Sequence, residues 1–318
     1  MRFAIFGTGG AGGYFGAHLA RAGEHVVLIA RGEHLKAIRE RGLRVETTAG
    51  EIVAHSEATD DPKQAGLVDV VLLGVKTWQV PEAAREMRPM LHPQTFVVPL
   101  QNGVEAATEL SRALGAEHVL DGLCGTISRV VSPGKILSLG ETNFIKFGEF
   151  TNTRSERALD LLSVFEGAGV KAEVPLNIQA AVWEKFVFVA PYGGIGAVTR
   201  ATAGVIRSLP ETRAMLKTGM REIADVARAR QVSLADDLVE KSMGLLDSLA
   251  PDATTSLQRD IAAGRPSELD AWNGAVVRLG RESGVPTPLN EFIYHSLLPS
   301  EIRARGEGVS VKVQPKTA

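Results

Sequence analysis

The spacing of apolar positions divides the chain into two parts. Through residue 175, short apolar runs alternate with polar segments of helical period, the signature of an α/β domain built on a parallel sheet. Arg2-Phe3-Ala4-Ile5-Phe6 predicts a buried strand, and Gly13 to Ala22 a helix packed on it. His25 to Ala30 predicts the second strand and Gly32 to Arg41 a polar helix. Leu43–Thr47 and residues 51–54 predict a hairpin turning at Ala49-Gly50, and Asp60-Asp61-Pro62 a short turn or helix. Val68 to Val75 is almost continuously apolar, as a central parallel strand buried on both faces should be. Lys76 to Val80 leads into a helix ending near Leu91, and Thr95 to Leu100 predicts a further strand. Residues 118–147 read as short strands around a Pro133-Gly134 turn, closing the sheet on its far side. A helix over 154–168 and a last strand over 171–174 complete this part.

Beyond Pro175 the period becomes that of long helices, over 178–188, 210–230, 234–249 and 269–283, with a short continuation after Pro288. Residues 303–318 are polar and lack helical period, which predicts a loose tail. The expected organisation is an α/β domain over 1–175, a helical domain over 176–302 and the tail over 303–318. There is no clear internal repeat.

The junction of the first strand and first helix carries Gly7-Thr8-Gly9-Gly10-Ala11-Gly12. Glycines in the order G-x-G-x-x-G, between a strand and a helix, form the dinucleotide-binding fingerprint in its required context. Gly7 permits the tight turn, Gly9 lets the backbone approach a pyrophosphate, and Gly12 lets helix pack on strand. The helix N-terminus then offers unpaired N–H groups and a positive dipole end to the phosphates. Thr8, Gly10 and Ala11 lie within the same turn. At the end of the second strand, where NAD sites place an acidic residue for the ribose hydroxyls, the chain has Arg31. A guanidinium holds a 2′-phosphate that a carboxylate would repel, so NADP is expected; an ordinary surface arginine in an Arg-Gly turn is the other reading. Lys76 and Asn102 follow strands and therefore lie at the ligand-binding carboxyl edge of the sheet.

Composition narrows the classes. The 318 residues are 44% hydrophobic and 23% charged, proportions of a folded globular protein, and suffice for two domains. A formal net charge of −2 gives no electrostatic case for nucleic acid or an anionic membrane. No apolar run is long enough to span a bilayer, and the sequence opens directly on a strand rather than a signal peptide, so a cytoplasmic location is expected. Cys124 is the single cysteine; its apolar surroundings predict a buried strand residue rather than a nucleophile. The seven histidines are scattered without ligand spacing, so no metal site is expected.

Three places in the helical part carry possible chemistry. Lys185, in Val182-Trp183-Glu184-Lys185-Phe186, is an ammonium in an apolar helix: either a proton donor tuned by burial or a lysine whose head reaches water. Thr254 to Asp260 contains hydroxyls that either cap a helix or hold a carboxylate. Ser267 reads as an N-cap with Glu268 in the first turn, where the helix dipole alone would explain a carboxylate.

Together these stretches resemble the ketopantoate reductases (2-dehydropantoate 2-reductases). The resemblance runs through nearly the whole chain: the glycine turn, Arg31, Val75-Lys76-Thr77-Trp78-Gln79, Gln101-Asn102-Gly103-Val104, Trp183-Glu184-Lys185, residues 197–202, Thr255 to Asp260 and Ser267-Glu268-Leu269-Asp270. It implies a Rossmann domain followed by a helical domain, with the active site at their interface, and NADPH-dependent reduction of ketopantoate to pantoate. Lys185 corresponds to the lysine that donates a proton to the C2 oxygen as hydride reaches C2. Glu268 corresponds to a carboxylate that binds substrate, orients the reacting groups and borders the cofactor. Ser256 corresponds to a hydroxyl on the substrate carboxylate, and Lys76 and Asn102 to residues lining the cofactor and substrate crevice.

One departure stands out. The family places asparagines four and eight residues after the lysine, on its face of the helix; here they are Val189 and Gly193. A lost hydrogen bond to a charged or strongly polar group weakens binding by about 1.5–3 kcal/mol unless Tyr192 or water replaces it. The alternatives are therefore a bulkier or less polar 2-oxo acid as substrate, or a non-catalytic NADP(H)-binding sensor. Pro191-Tyr192-Gly193-Gly194 is expected to kink the helix. A homodimer through the helical domain is compatible with the pattern and not specified by it.

Overall fold

A computed structural model describes residues 1–140 and 143–306. The chain divides into two compact units, the first ending at Val182 and the second beginning at Trp183.

The first unit contains, in order, β1 (Arg2–Phe6), α1 (Gly10–Arg21), β2 (His25–Ile29), α2 (Gly32–Arg41), β3 (Leu43–Thr47), β4 (Gly50–Ala54) and β5 (Glu57–Thr59). It continues with β6 (Val68–Leu73), α3 (Val80–Glu86), β7 (Leu91–Pro99), α4 (Ala106–Leu114), β8 (Asp121–Gly125), β9 (Ser128–Ser132), β10 (Lys135–Ser138), β11 (Phe144–Gly148), α5 (Glu156–Gly167) and β12 (Lys171–Glu173). Its main sheet is parallel throughout, in the order β5-β2-β1-β6-β7. Alternate residues feed two cores: Phe3, Ile5, Val26, Leu28, Val70 and Leu72 on one face, and Ala4, Phe6, Val27, Ile29, Val71 and Leu73 on the other. Burial on both faces explains why these strands read as continuous apolar runs.

The later strands do not close this sheet as expected. β10 pairs in parallel with β3 and antiparallel with β9, giving a separate sheet β4-β3-β10-β9. The alternating β3–β4 hairpin leaves a strand edge open, and β10 satisfies it. β8, β11 and β12 form a third sheet, bridged to β7 through Val97 and Val119. The predicted elements also lack β5 and α4, and α1 begins three residues early, within the glycine motif. Cys124 is buried in β8, as expected.

The second unit is helical. α6 (Ile178–Thr199) begins in the first unit; α7 (Ala203–Ser208), α8 (Pro210–Ala229), α9 (Leu238–Ser248), α10 (Ser256–Ala262), a π-turn (Asp270–Gly274), α11 (Ala275–Ser283) and α12 (Pro288–Ala304) follow. α6 passes through Pro191 to Thr199 rather than stopping at Phe188. Pro191 packs on Gly219 of α8, where any Cβ would approach the proline Cβ to 2.9 Å. α12 is long rather than a short continuation and carries Arg303 and Ala304 of the predicted tail; residues 307–318 lie outside the described ones. Glu222 of α8 accepts from the Leu289 and Asn290 backbone N–H groups and anchors the start of α12. Asn290 in turn accepts from Asn273 Nδ2 at 2.9 Å. Among the described residues no helix is long and apolar enough to cross a membrane.

Candidate active site

The glycine turn is built by mutual contact. Gly7 has φ +97°, and a Cβ there would stand 2.7 Å from the Val75 nitrogen. A Cβ on Gly12 would come within 2.3 Å of the Gly7 oxygen, and one on Gly74, at the end of β6, within 2.7 Å of the same oxygen. These contacts hold β1, α1 and β6 too close for side chains. Gly10 is crowded from another direction, since its Cβ would meet the Ser128 carbonyl of β9 at 2.2 Å. Ala11 packs partly buried on the core below. Gly9, the N-cap of α1, has nothing within 4 Å of its Cβ position. This open face at a helix N-terminus fits a pyrophosphate approaching the backbone.

The turn is tied down on both sides. Gly7 N, Thr8 N and Thr8 Oγ1 all donate to the Ile29 carbonyl, at 3.2, 3.1 and 3.0 Å. His34, three residues after Arg31, accepts from Gly134 N–H on Nδ1 at 3.0 Å and so donates from Nε2 to the Thr8 carbonyl at 2.8 Å. Burial lowers its pKa below the usual histidine value, against the raising effect of the Thr8 hydrogen bond. His34 was absent from the sequence expectations, because a single histidine in a polar helix carries no spacing signal.

Arg31 is the N-cap of α2 and exposed, and its Nη2 donates to both carboxylate oxygens of Glu86, at 3.1 and 2.9 Å. Lys76 and Asn102 follow β6 and β7, adjacent strands of the sheet, and both are half-buried. The Lys76 ammonium lies 6.0 Å from the Trp78 ring centre. Gln101 joins the same two strand ends, its Nε2 donating to the Leu73 and Val75 carbonyls at 2.9 Å each.

In the second unit Lys185 is half-buried on α6, with Val189 and Gly193 one and two turns further along. Gly193 is enclosed: a Cβ there would meet Trp272 Cζ3 at 2.6 Å and Thr255 Oγ1 at 3.2 Å. Next to it, a Cβ on Gly194 would meet Asn273 Oδ1 at 2.7 Å. The two glycines thus let the π-turn lie directly on α6, and π-turns of this kind recur at functional sites. Trp272 is fully buried, and its Nε1–H has no acceptor among the described residues. Tyr192 does not substitute for the absent asparagines. Its hydroxyl donates to the Ala253 carbonyl at 2.8 Å, and burial pushes its pKa up to about 12.

Thr255 caps α10 in a reciprocal box with Gln258, leaving Ser256 as the first helical residue. Glu268 is buried just ahead of the π-turn, its carbonyl accepting from Trp272 N–H at 3.0 Å. The preceding Ser267 is gripped by the buried Glu301 carboxylate, which accepts from its N–H and, at 2.5 Å, from its hydroxyl. Arg305 completes the anchor with a 2.7 Å pair to Glu301. Thr255, just before Ser256, and Trp272, four residues after Glu268, therefore both pack on α6 at Gly193, two turns beyond Lys185. Trp272, Glu301 and Glu86 were not readable in advance, since each acts through a partner distant in sequence.

Comparison with known proteins bears on the fold and the family. Residues 3–152 match the family described as ketopantoate reductase PanE/ApbA, and residues 177–300 its C-terminal counterpart. A 2-dehydropantoate 2-reductase of Mesorhizobium japonicum is 31% identical over 91% of this chain and 94% of its own. The crystal structure of a PanE/ApbA family ketopantoate reductase from Ralstonia eutropha superposes with a TM-score of 0.88 at 32% identity, covering 96% of this chain and all of the other. The fold is shared as well by D-mandelate dehydrogenase, solved with NADH and anilino(oxo)acetate, with a TM-score of 0.89 at 22% identity over 96% of this chain and 100% of that one.

Proposed function

The chain belongs to the ketopantoate reductase family of oxidoreductases, and from that premise we propose that it uses NADPH to reduce the carbonyl of a 2-oxo acid, with 2-dehydropantoate as the first candidate. The observation that carries the reading is the packing at Gly193 of α6, the helix of Lys185, against Thr255, which precedes Ser256, and Trp272, in the turn that follows Glu268. The cofactor, when bound, supplies hydride to C2. Lys185 then stabilises the charge growing on the carbonyl oxygen and gives it a proton. Glu268, fixed through Ser267 and Glu301, orients the substrate, and the Ser256 hydroxyl donates to its carboxylate. On the cofactor side, the Gly9 face, Lys76 and Asn102 would hold the dinucleotide, and Arg31 at the end of β2 supports NADP over NAD.

A second reading has its own observation. Val189 offers no polar group, and Trp272 occupies the space beside Gly193 where a polar side chain would stand. This favours a 2-oxo acid with a less polar tail than ketopantoate. NADPH oxidation by the purified protein, followed with ketopantoate and with 2-oxo acids bearing aliphatic or aromatic tails, separates the two. Efficient turnover of ketopantoate supports the first, and preference for an apolar tail the second. Tight NADPH binding without turnover of any of them would overturn both and leave a binding protein.

A further inference from the structure

Building on the reading of Arg31 as the 2′-phosphate contact, we propose that Glu86 determines cofactor specificity: its carboxylate opposes a 2′-phosphate at Arg31 and so narrows the preference for the phosphorylated cofactor. Arg31 leaves β2 in extended conformation, φ −133° and ψ 159°, at the place where a Rossmann domain reads the adenosine ribose. Glu86, the last residue of α3, brings a carboxylate to the same guanidinium from another element. Both of its oxygens accept from Arg31 Nη2.

A 2′-phosphate meets this pair in one of two ways. Either it displaces Glu86 and inherits the guanidinium, or it binds the remaining donors and sits beside a like charge. Each costs affinity that the unphosphorylated ribose does not lose. β2 lacks the acidic residue of an NAD site, and Glu86 returns a carboxylate to its neighbourhood. The Arg31 side chain is 60% exposed in the pair, so the contact contributes little to folding, and its effect is to be sought in ligand choice.

The test uses the full chain and two ligands that lack nicotinamide, ADP-ribose and 2′-phospho-ADP-ribose, titrated calorimetrically. Glu86→Gln should tighten binding of the 2′-phosphorylated ligand by about tenfold and leave ADP-ribose unchanged. Arg31→Gln should weaken the phosphorylated ligand alone. An unchanged or reduced affinity ratio in Glu86→Gln overturns the inference while sparing the cofactor reading, because Glu86 would then merely orient Arg31. Failure of both ligands to bind the unaltered protein overturns the dinucleotide reading, and the inference with it.

Discussion

The Trp272 ring lies where the side chain of any residue other than glycine at position 193 would begin, with 2.6 Å between its Cζ3 and the Gly193 Cβ position. The polar residue missing from this face of α6 is therefore not simply deleted; an indole holds its space. Gly193→Asn should destabilise the protein by about 1–3 kcal/mol through overpacking. Adding Trp272→Leu should recover most of that loss, a non-additivity expected of two residues in contact. Denaturant midpoints of the two single variants and the double variant measure the coupling. Turnover of 2-oxo acids with polar tails should improve in the double variant and not in Gly193→Asn alone.

His34 joins the glycine turn to the β9–β10 connection only in its neutral form, with Nδ1 as acceptor for Gly134 N–H. Its lowered pKa means that the folded state resists protonation. The stabilising contribution is whole above the ordinary histidine value of about 6.5 and is lost as pH falls below it toward the folded value. Buried His18, lowered mainly by desolvation and further by Arg21, acts in the same direction. His34→Gln can keep both hydrogen bonds without titrating, so it should lose less stability than the unaltered protein between about pH 7.5 and 5.5. Equal losses in denaturation experiments at the two pH values would remove His34 from this account.

Asp121 behaves oppositely. At the start of β8 its carboxylate accepts from the Gly122 N–H, and burial pushes its pKa up to about 7. A raised folded value favours the folded state fully below the ordinary carboxylate range and loses that advantage as pH rises through about 7. Asp121→Asn should therefore be more stable than the unaltered protein at about pH 8, by on the order of 2 kcal/mol, and near parity at about pH 4. Thermal unfolding at the two pH values reads the difference, and a variant less stable at the higher pH would show that the carboxylate has an ionic role.

The N-terminal architecture was legible because local signals agree there. Continuous apolar runs, a glycine turn and helices in strict order point to one topology, and β1 through α2 follow it closely. α6 was read too short because Pro191, Gly193 and Gly194 are helix breakers by propensity, whereas in the fold they give close packing on α8 and the π-turn. The pairing of β10 with β3 leaves no mark in either strand, since register between distant segments depends on an open edge rather than on periodicity. Lys185, Ser256 and Glu268 came forward as candidates by resemblance. The contacts at Gly193 and Ser267 were not legible, because Trp272 and Glu301 look like ordinary helix residues until those partners are seen.

That late pairing also bears on the order in which the chain folds. Arg44 and Lys135 stand opposite each other in the β3–β10 ladder, and β9, joined to β10, supplies the Ser128 carbonyl over Gly10. His34 likewise reaches Gly134 for one of its two hydrogen bonds. The first forty residues spell out the nucleotide turn, yet they cannot finish it until nearly a hundred more have been made. Such long loops close slowly. A nascent chain that ends before β9 would carry the fingerprint without its outer wall, so the competence to hold a cofactor should emerge late in synthesis, well after the motif that announces it.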